Sequence, residues 1–128
     1  MTHDELGRWL DAFGDAWKSN DPADIGALVT EQTEWHSGPF TEIFRDRQTL
    51  VDHWISTVNT HGPVETEYEI LAVDGDTGIS RYRASYGMHK TARVHGDGIF
   101  IIRLNDEGQC VEFHEWYDSQ VEPLPEYR

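Results

Sequence analysis

The carboxylate best placed to do chemistry is Glu115, within CVEFHEWYD at Cys110–Asp118. Strand side chains alternate, so Val111, Phe113, Glu115 and Tyr117 share one face and Glu112, His114, Trp116 and Asp118 the other. If the first face points inward, Glu115 sits among apolar and aromatic neighbours, where a carboxyl is paired, protonated or functional. In the functional case it is a general acid or base, with Tyr117 beside it as a hydrogen-bond donor. In the structural case it pairs with Arg81, Arg83 or a tyrosine hydroxyl. His36, in TEWHS, is a second candidate, because imidazole exchanges protons near neutrality. Its plain alternative is an exposed turn histidine. His95 and Asp97, in HGDG, form a third candidate pair, but the two glycines signal a bulge or bend that leaves their facing open. The histidines offer no i, i+4 pair with a third ligand, and Cys110 stands alone, so neither a metal nor a cofactor is expected.

The elements that must position these groups follow from periodicity. Leu6, Leu10, Phe13 and Trp17 recur at spacings of three and four, predicting a helix over 4–19. Ser19-Asn20-Asp21-Pro22 breaks it. Asp21 as N-cap and Pro22 at the first position then start a second helix over about 22–29, burying Ile25, Leu28 and Val29. Thr33–Ser37 reads as a short strand and Glu42–Phe44 as another, with a turn at Gly38-Pro39-Phe40 between them. Asp46 caps a third helix over about 47–58, with a buried stripe of Leu50, Val51, Trp54, Ile55 and Val58, ended by His61-Gly62-Pro63. From Val64 the period changes to two. Thr66, Tyr68 and Ile70 alternate with Glu65, Glu67 and Glu69, and Tyr82, Ala84 and Tyr86 with Arg81, Arg83 and Ser85. Asp74-Gly75-Asp76 and Asn105–Gly108 are the turns of this meander, and 120–128 is an extended tail. Helices first and an antiparallel meander after predict an α+β fold, helices packed on one face of a strongly curved sheet.

Composition narrows the function classes. At 128 residues the chain is expected to form one domain, with a core over about 4–119. A formal charge of −14 opposes nucleic acid and anionic membrane surfaces. No basic leader or membrane-length apolar run is present, so a cytoplasmic protein is expected. Five Trp, five Tyr and five Phe point to a ring-lined interior.

Several segments in this order carry a wider likeness: SNDPADIGALV, TEWHSGPF, FRDRQTLVDHW and GIFIIRLNDEGQCVEFHEWY. Together they resemble the nuclear transport factor 2-like superfamily, in its SnoaL-like and ketosteroid-isomerase-like branch. The resemblance implies a conical α+β barrel with a deep pocket for a small apolar molecule, and a homodimer formed through the sheet. It places Trp54 at the pocket wall. The rings expected there are Phe13, Trp17 and Trp54 from helices, and Trp35, Tyr82, Tyr86, Phe100 and Phe113 from strands. The catalytic groups of ketosteroid isomerases do not carry over. Their tyrosine falls at Phe13, their aspartate base at Ser37 (or, with a slip of one, His36), and their oxyanion acid near Phe100. The reading is instead a SnoaL-like, cofactor-free isomerase, cyclase or hydrolase working by proton transfer, and the residues themselves, by strand alternation and side-chain chemistry, offer Glu115, His36 and Tyr117 as its catalytic groups. The alternative is a ligand-binding or protein-interaction domain of the same fold without chemistry.

Overall fold

The computed structural model describes residues 1–57, 60–88 and 92–123. Helix α1 spans His3–Ser19, held at its start by the Thr2 hydroxyl, which accepts from the Glu5 N–H. It stops at Asn20, whose left-handed backbone (φ 51°) lets its N–H donate to Ala16 O at 2.9 Å. Helix α2 (Pro22–Gly26) starts from Asp21, whose carboxylate accepts from Ala23 N. It is one turn long and ends before Val29, which instead opens strand β1 (Val29–His36). Strand β2 is Ile43–Phe44 and helix α3 is Arg47–Thr57, capped by Asp46 through Thr49 N. Within α3, Leu50, Val51 and Trp54 are buried as the periodicity predicts, but Ile55 is 38 % exposed. Val58 lies outside the described residues.

Four long strands follow: β3 (Thr60–Asp74), β4 (Thr77–Met88), β5 (Ala92–Leu104) and β6 (Cys110–Pro123). Their order in the sheet is β2-β1-β6-β5-β4-β3; β1 runs parallel to β6 and every other pair is antiparallel. The sheet is curved but remains open between its edge strands β2 and β3. Thus His61-Gly62-Pro63 does not terminate a helix; it belongs to β3, at the sheet edge, where a proline costs little because no further strand awaits its missing N–H. Gly75 (φ 61°) and Gly108 (φ 79°) take the left-handed conformations that the β3–β4 and β5–β6 turns require.

Helices and sheet meet on one face of the sheet, in an aromatic core centred on Phe13. Its ring lies 5.5 Å from those of Trp9, Trp54 and Phe100 and 5.2 Å from that of Tyr82. Leu6, Leu10, Ile25, Val29 and Ile102 complete that core. The opposite face carries charge: Arg81, Arg83, Asp97, Arg103, Glu112 and His114.

Candidate functional site

Strand alternation carries Phe113, Glu115 and Tyr117 to the helix-facing side of β6, and Phe100 beside Glu115 on β5. The helices do not fill the space above them. A cavity of about 330 Å³ remains, lined by Phe13 and Trp17 of α1, Leu50, His53 and Trp54 of α3, and Trp35 and Ser37 at the end of β1. Tyr86, Phe100, Glu115, Tyr117 and Ser119 close it from the sheet. The volume falls at the lower end of the roughly 300–1,000 Å³ typical of small-molecule sites. A larger hollow lies on the opposite face of the sheet, beside Glu65, Arg83, His95 and Asp97, but its walls are polar and open to water, and Arg83 is held there by Glu67 and Asp97.

Within the cavity Glu115 has no hydrogen-bond or ionic partner among the described residues, and burial alone pushes its carboxyl up to about 7. The arginines that could have neutralised it are committed elsewhere: Arg81 grips Asp97 with two bonds of 2.9 and 2.6 Å, and Arg83 binds Glu67 at 3.1 Å. Glu115 is therefore a carboxylic acid poised to gain or lose a proton near neutrality. Burial also raises the Tyr117 phenol, with the charges of Tyr86 and Glu115 adding to it, and raises Tyr86 in the same way. Both remain neutral hydroxyls across the ordinary pH range.

Tyr117 owes its place to two glycines. A Cβ on Gly96 would run into the Tyr117 hydroxyl and ring, and one on Gly98 would come within 2.6 Å of the Tyr117 Cα. The bulge that HGDG suggested is absent, because the pairing of β5 with both neighbours runs through Gly96 and Gly98 without a shift. The glycines clear space for a ring lying across the strand. His95 and Asp97 between them point to the other face, where His95 bridges Ser85 and Glu122, each at 2.8 Å.

His36 is also placed away from the cavity. Its neighbour Trp35 turns inward, so His36 turns out, stacks on His114 with ring centres 4.1 Å apart, and lies 3.6 Å from Glu34. Of the rings expected at the pocket, Phe13, Trp17, Trp35, Trp54, Tyr86 and Phe100 line it. Tyr82 and Phe113 are fully buried behind that layer, Tyr82 against Phe100 at 4.9 Å and Phe113 against Trp35 at 3.8 Å. The burial of Tyr82 pushes its phenol up to about 12, although the nearby Thr66 hydroxyl offsets part of that shift. His53 was not singled out from sequence. The available signal was its spacing of three from Leu50, which sets it beside Trp54 on α3; its ring lies 4.5 Å from that of Phe44. Among the described residues no cluster of three His, Cys, Asp or Glu side chains is arranged to hold a metal.

Residues 10–113 match the model of the SnoaL-like domain. The chain belongs to that family. Its fold is that of the nuclear transport factor 2-like superfamily, as solved structures show. An epoxide hydrolase/cyclase-like enzyme, SalBIII, described in pyran ring formation in the polyether salinomycin, superposes with a TM-score of 0.75 at 15% identity, covering 92% of this chain and 95% of that one. An LEH-like epoxide hydrolase of M. tuberculosis superposes at 0.67 with 16% identity, covering 90% and 84%. An NTF2-like protein of unknown function from Exiguobacterium sp. 255-15 superposes at 0.68 with 16% identity, covering 86% and 98%. At such identities the likeness is one of fold. No curated protein matches the chain in sequence.

Proposed function

We propose that this SnoaL-like domain is a cofactor-independent enzyme that moves a proton on a small, mostly apolar molecule held in the ring-lined cavity, with Glu115 as its acid or base. The observation that carries this reading is a desolvated carboxyl, unpartnered among the described residues and with a pKa of about 7, on the wall of a cavity of ligand size. As an acid, Glu115 delivers its proton to a ligand oxygen as negative charge develops there. As a base, it takes one from a carbon activated by a neighbouring carbonyl. Tyr117 and Tyr86 supply neutral hydroxyls beside it, suited to hold an oxygen in place. His53 also lines the cavity, from α3. His36 lies outside the cavity and has no part in this scheme. The descriptions of two structural relatives as an epoxide hydrolase and an epoxide hydrolase/cyclase-like enzyme are in keeping with acid–base work in this fold.

The test is turnover of a panel of epoxides and ketones by the wild type and by Glu115→Gln, which keeps size and removes the proton. Saturable turnover that falls about 100-fold or more in the variant supports the reading. Equal turnover by the two proteins overturns the role of Glu115, and turnover by neither leaves the cavity a binding site without chemistry. We also propose a homodimer through the outer face of the sheet, where Trp116 is 47 % exposed beside the half-buried Ile99 and Ile101. Sedimentation of the wild type as a dimer and of Trp116→Arg as a monomer would support it; a wild-type monomer would contradict it.

A further inference from the structure

Away from the cavity, on the outer face of the sheet, one group of side chains is joined in an order that chemistry can use. Ser85 of β4 and His95 of β5 stand directly opposite each other in the ladder, and Ser85 Oγ lies 2.8 Å from His95 Nδ1. The other ring nitrogen, Nε2, lies 2.8 Å from Glu122 Oε2 on β6. A carboxylate only accepts, so in the neutral ring Nε2 carries the proton and Nδ1 is left as an acceptor. The Ser85 hydroxyl then donates to Nδ1. Three adjacent strands thus supply a hydroxyl, a base bonded to it and an acid that fixes the tautomer of the base. The pairing of β5 with both neighbours is regular at these positions, so the ladder itself sets their spacing. Ser85 and His95 line the hollow on this face, a space of about 1020 Å³. Arg93 donates to Ser85 O at 3.3 Å and to Pro63 O at 3.1 Å, which brings a guanidinium beside the same serine. His95 stands four residues from Ile99 along β5, about 13 Å, so the trio lies to one side of the Trp116 patch.

We propose that Ser85 is a nucleophile, activated by His95 with Glu122 as its positioning residue, that takes the acyl group of an uncharged carboxylic ester seated in this hollow. The cavity and Glu115 have no part in it. Ser85 Oγ bonds to the ester carbonyl carbon as its proton passes to His95 Nδ1. The C–O bond to the leaving alcohol then breaks, and that oxygen takes the proton from Nδ1. Water repeats the sequence on the acyl-serine, releasing a carboxylic acid and restoring the Ser85 hydroxyl. The Arg93 guanidinium, with N–H groups beyond those it gives to the two carbonyls, is the cation at hand for the negative charge that develops on the carbonyl oxygen. The ester is uncharged because Glu65, Glu67, Asp97 and Asp118 line the hollow against Arg83, a balance that repels an anion.

Exposure of the full chain to para-nitrophenyl acetate at about pH 8 tests this. Intact mass and peptide mapping should find an acetyl group on Ser85 of the wild type, formed together with a burst of nitrophenolate of the same amount. Ser85→Ala should lack both, and His95→Gln should form the label about 100-fold more slowly. The positioning role of Glu122 has its own signature. The ¹⁵N resonances of the His95 ring should show a single Nε2–H tautomer in the wild type and a mixture in Glu122→Ala, with acetylation slower by about tenfold or more. Acetyl groups on lysine amines or elsewhere with none on Ser85 overturn the proposal, and so does a Ser85 label that forms as fast in His95→Gln. A wild-type His95 ring protonated on Nδ1 alone overturns it too. Because label, burst and tautomer are all read in the wild type, a variant that misfolds does not remove the test.

Discussion

Glu112 and Glu115 stand three residues apart on one strand and meet opposite fates. Glu112 faces outward. Partial burial would raise its pKa, but the hydrogen bond from His114, at 3.2 Å, and the charges of Arg103 and His114 outweigh that and hold the carboxyl below its ordinary value. Glu115 faces inward among rings, has no such partner, and rises to about 7. On the outer face Glu67, Asp97 and Glu112 each meet an arginine. On the inner face Glu115 meets no cation among the described residues. The difference shows that burial alone does not mark a reactive carboxyl; burial without a counter-charge does.

The comparison can be broken or sharpened in several ways. The largest expected effect is on turnover, where Glu115→Gln should lose about 10²–10⁴-fold while Glu112→Gln changes little. Second comes stability against pH. Between pH 4.5, the ordinary value, and about 7 the folded protein holds the Glu115 proton and the unfolded chain does not. The wild type should therefore lose stability as pH rises through that window, by at most about 3 kcal/mol. Glu115→Gln should lack this loss and unfold at higher denaturant than the wild type at pH 8, which paired denaturation curves at pH 5 and pH 8 would show. Gly96→Ala comes next. It should displace the Tyr117 ring at a cost of about 1–3 kcal/mol, read by the same curves. The smallest effect is expected for His114→Ala, which removes a half-buried partner of Glu112 and should change stability by less than about 1 kcal/mol.

Much of this contrast was legible in the sequence, because alternation fixes facing wherever a strand is regular. It gave the inward set Phe113, Glu115 and Tyr117 and the outward set Glu112, His114 and Trp116. It weakened where the strand was irregular. Arg103 and Leu104 pair with Glu112 and Cys110, so Val111 is an extra residue there, and Cys110 is buried in its stead. The chemistry of an imidazole makes His36 a candidate proton carrier, but its residue type says nothing of which way it faces. In the fold it continues β1, and the inward position falls to Trp35. Gly96 and Gly98 looked like a bend because nothing local reveals that a distant tyrosine ring needs their space. Nor does alternation tell a ring that fronts a cavity from one packed behind another. Phe113 and Trp35 both point inward, and only their 3.8 Å stack shows which of them meets the cavity. His53 illustrates the same gap on a helix, where a polar residue beside a buried tryptophan has no local mark of function.

The most direct test is a ¹³C NMR titration of the glutamate side-chain carboxyls, with the Glu115 resonance assigned by its loss in Glu115→Gln. A midpoint near 7 for that one carboxyl, with Glu112 titrating below its ordinary value in the same experiment, is the predicted result. A Glu115 midpoint near 4.5 would mean that water or an unseen partner reaches it, and the account of a poised acid would be wrong.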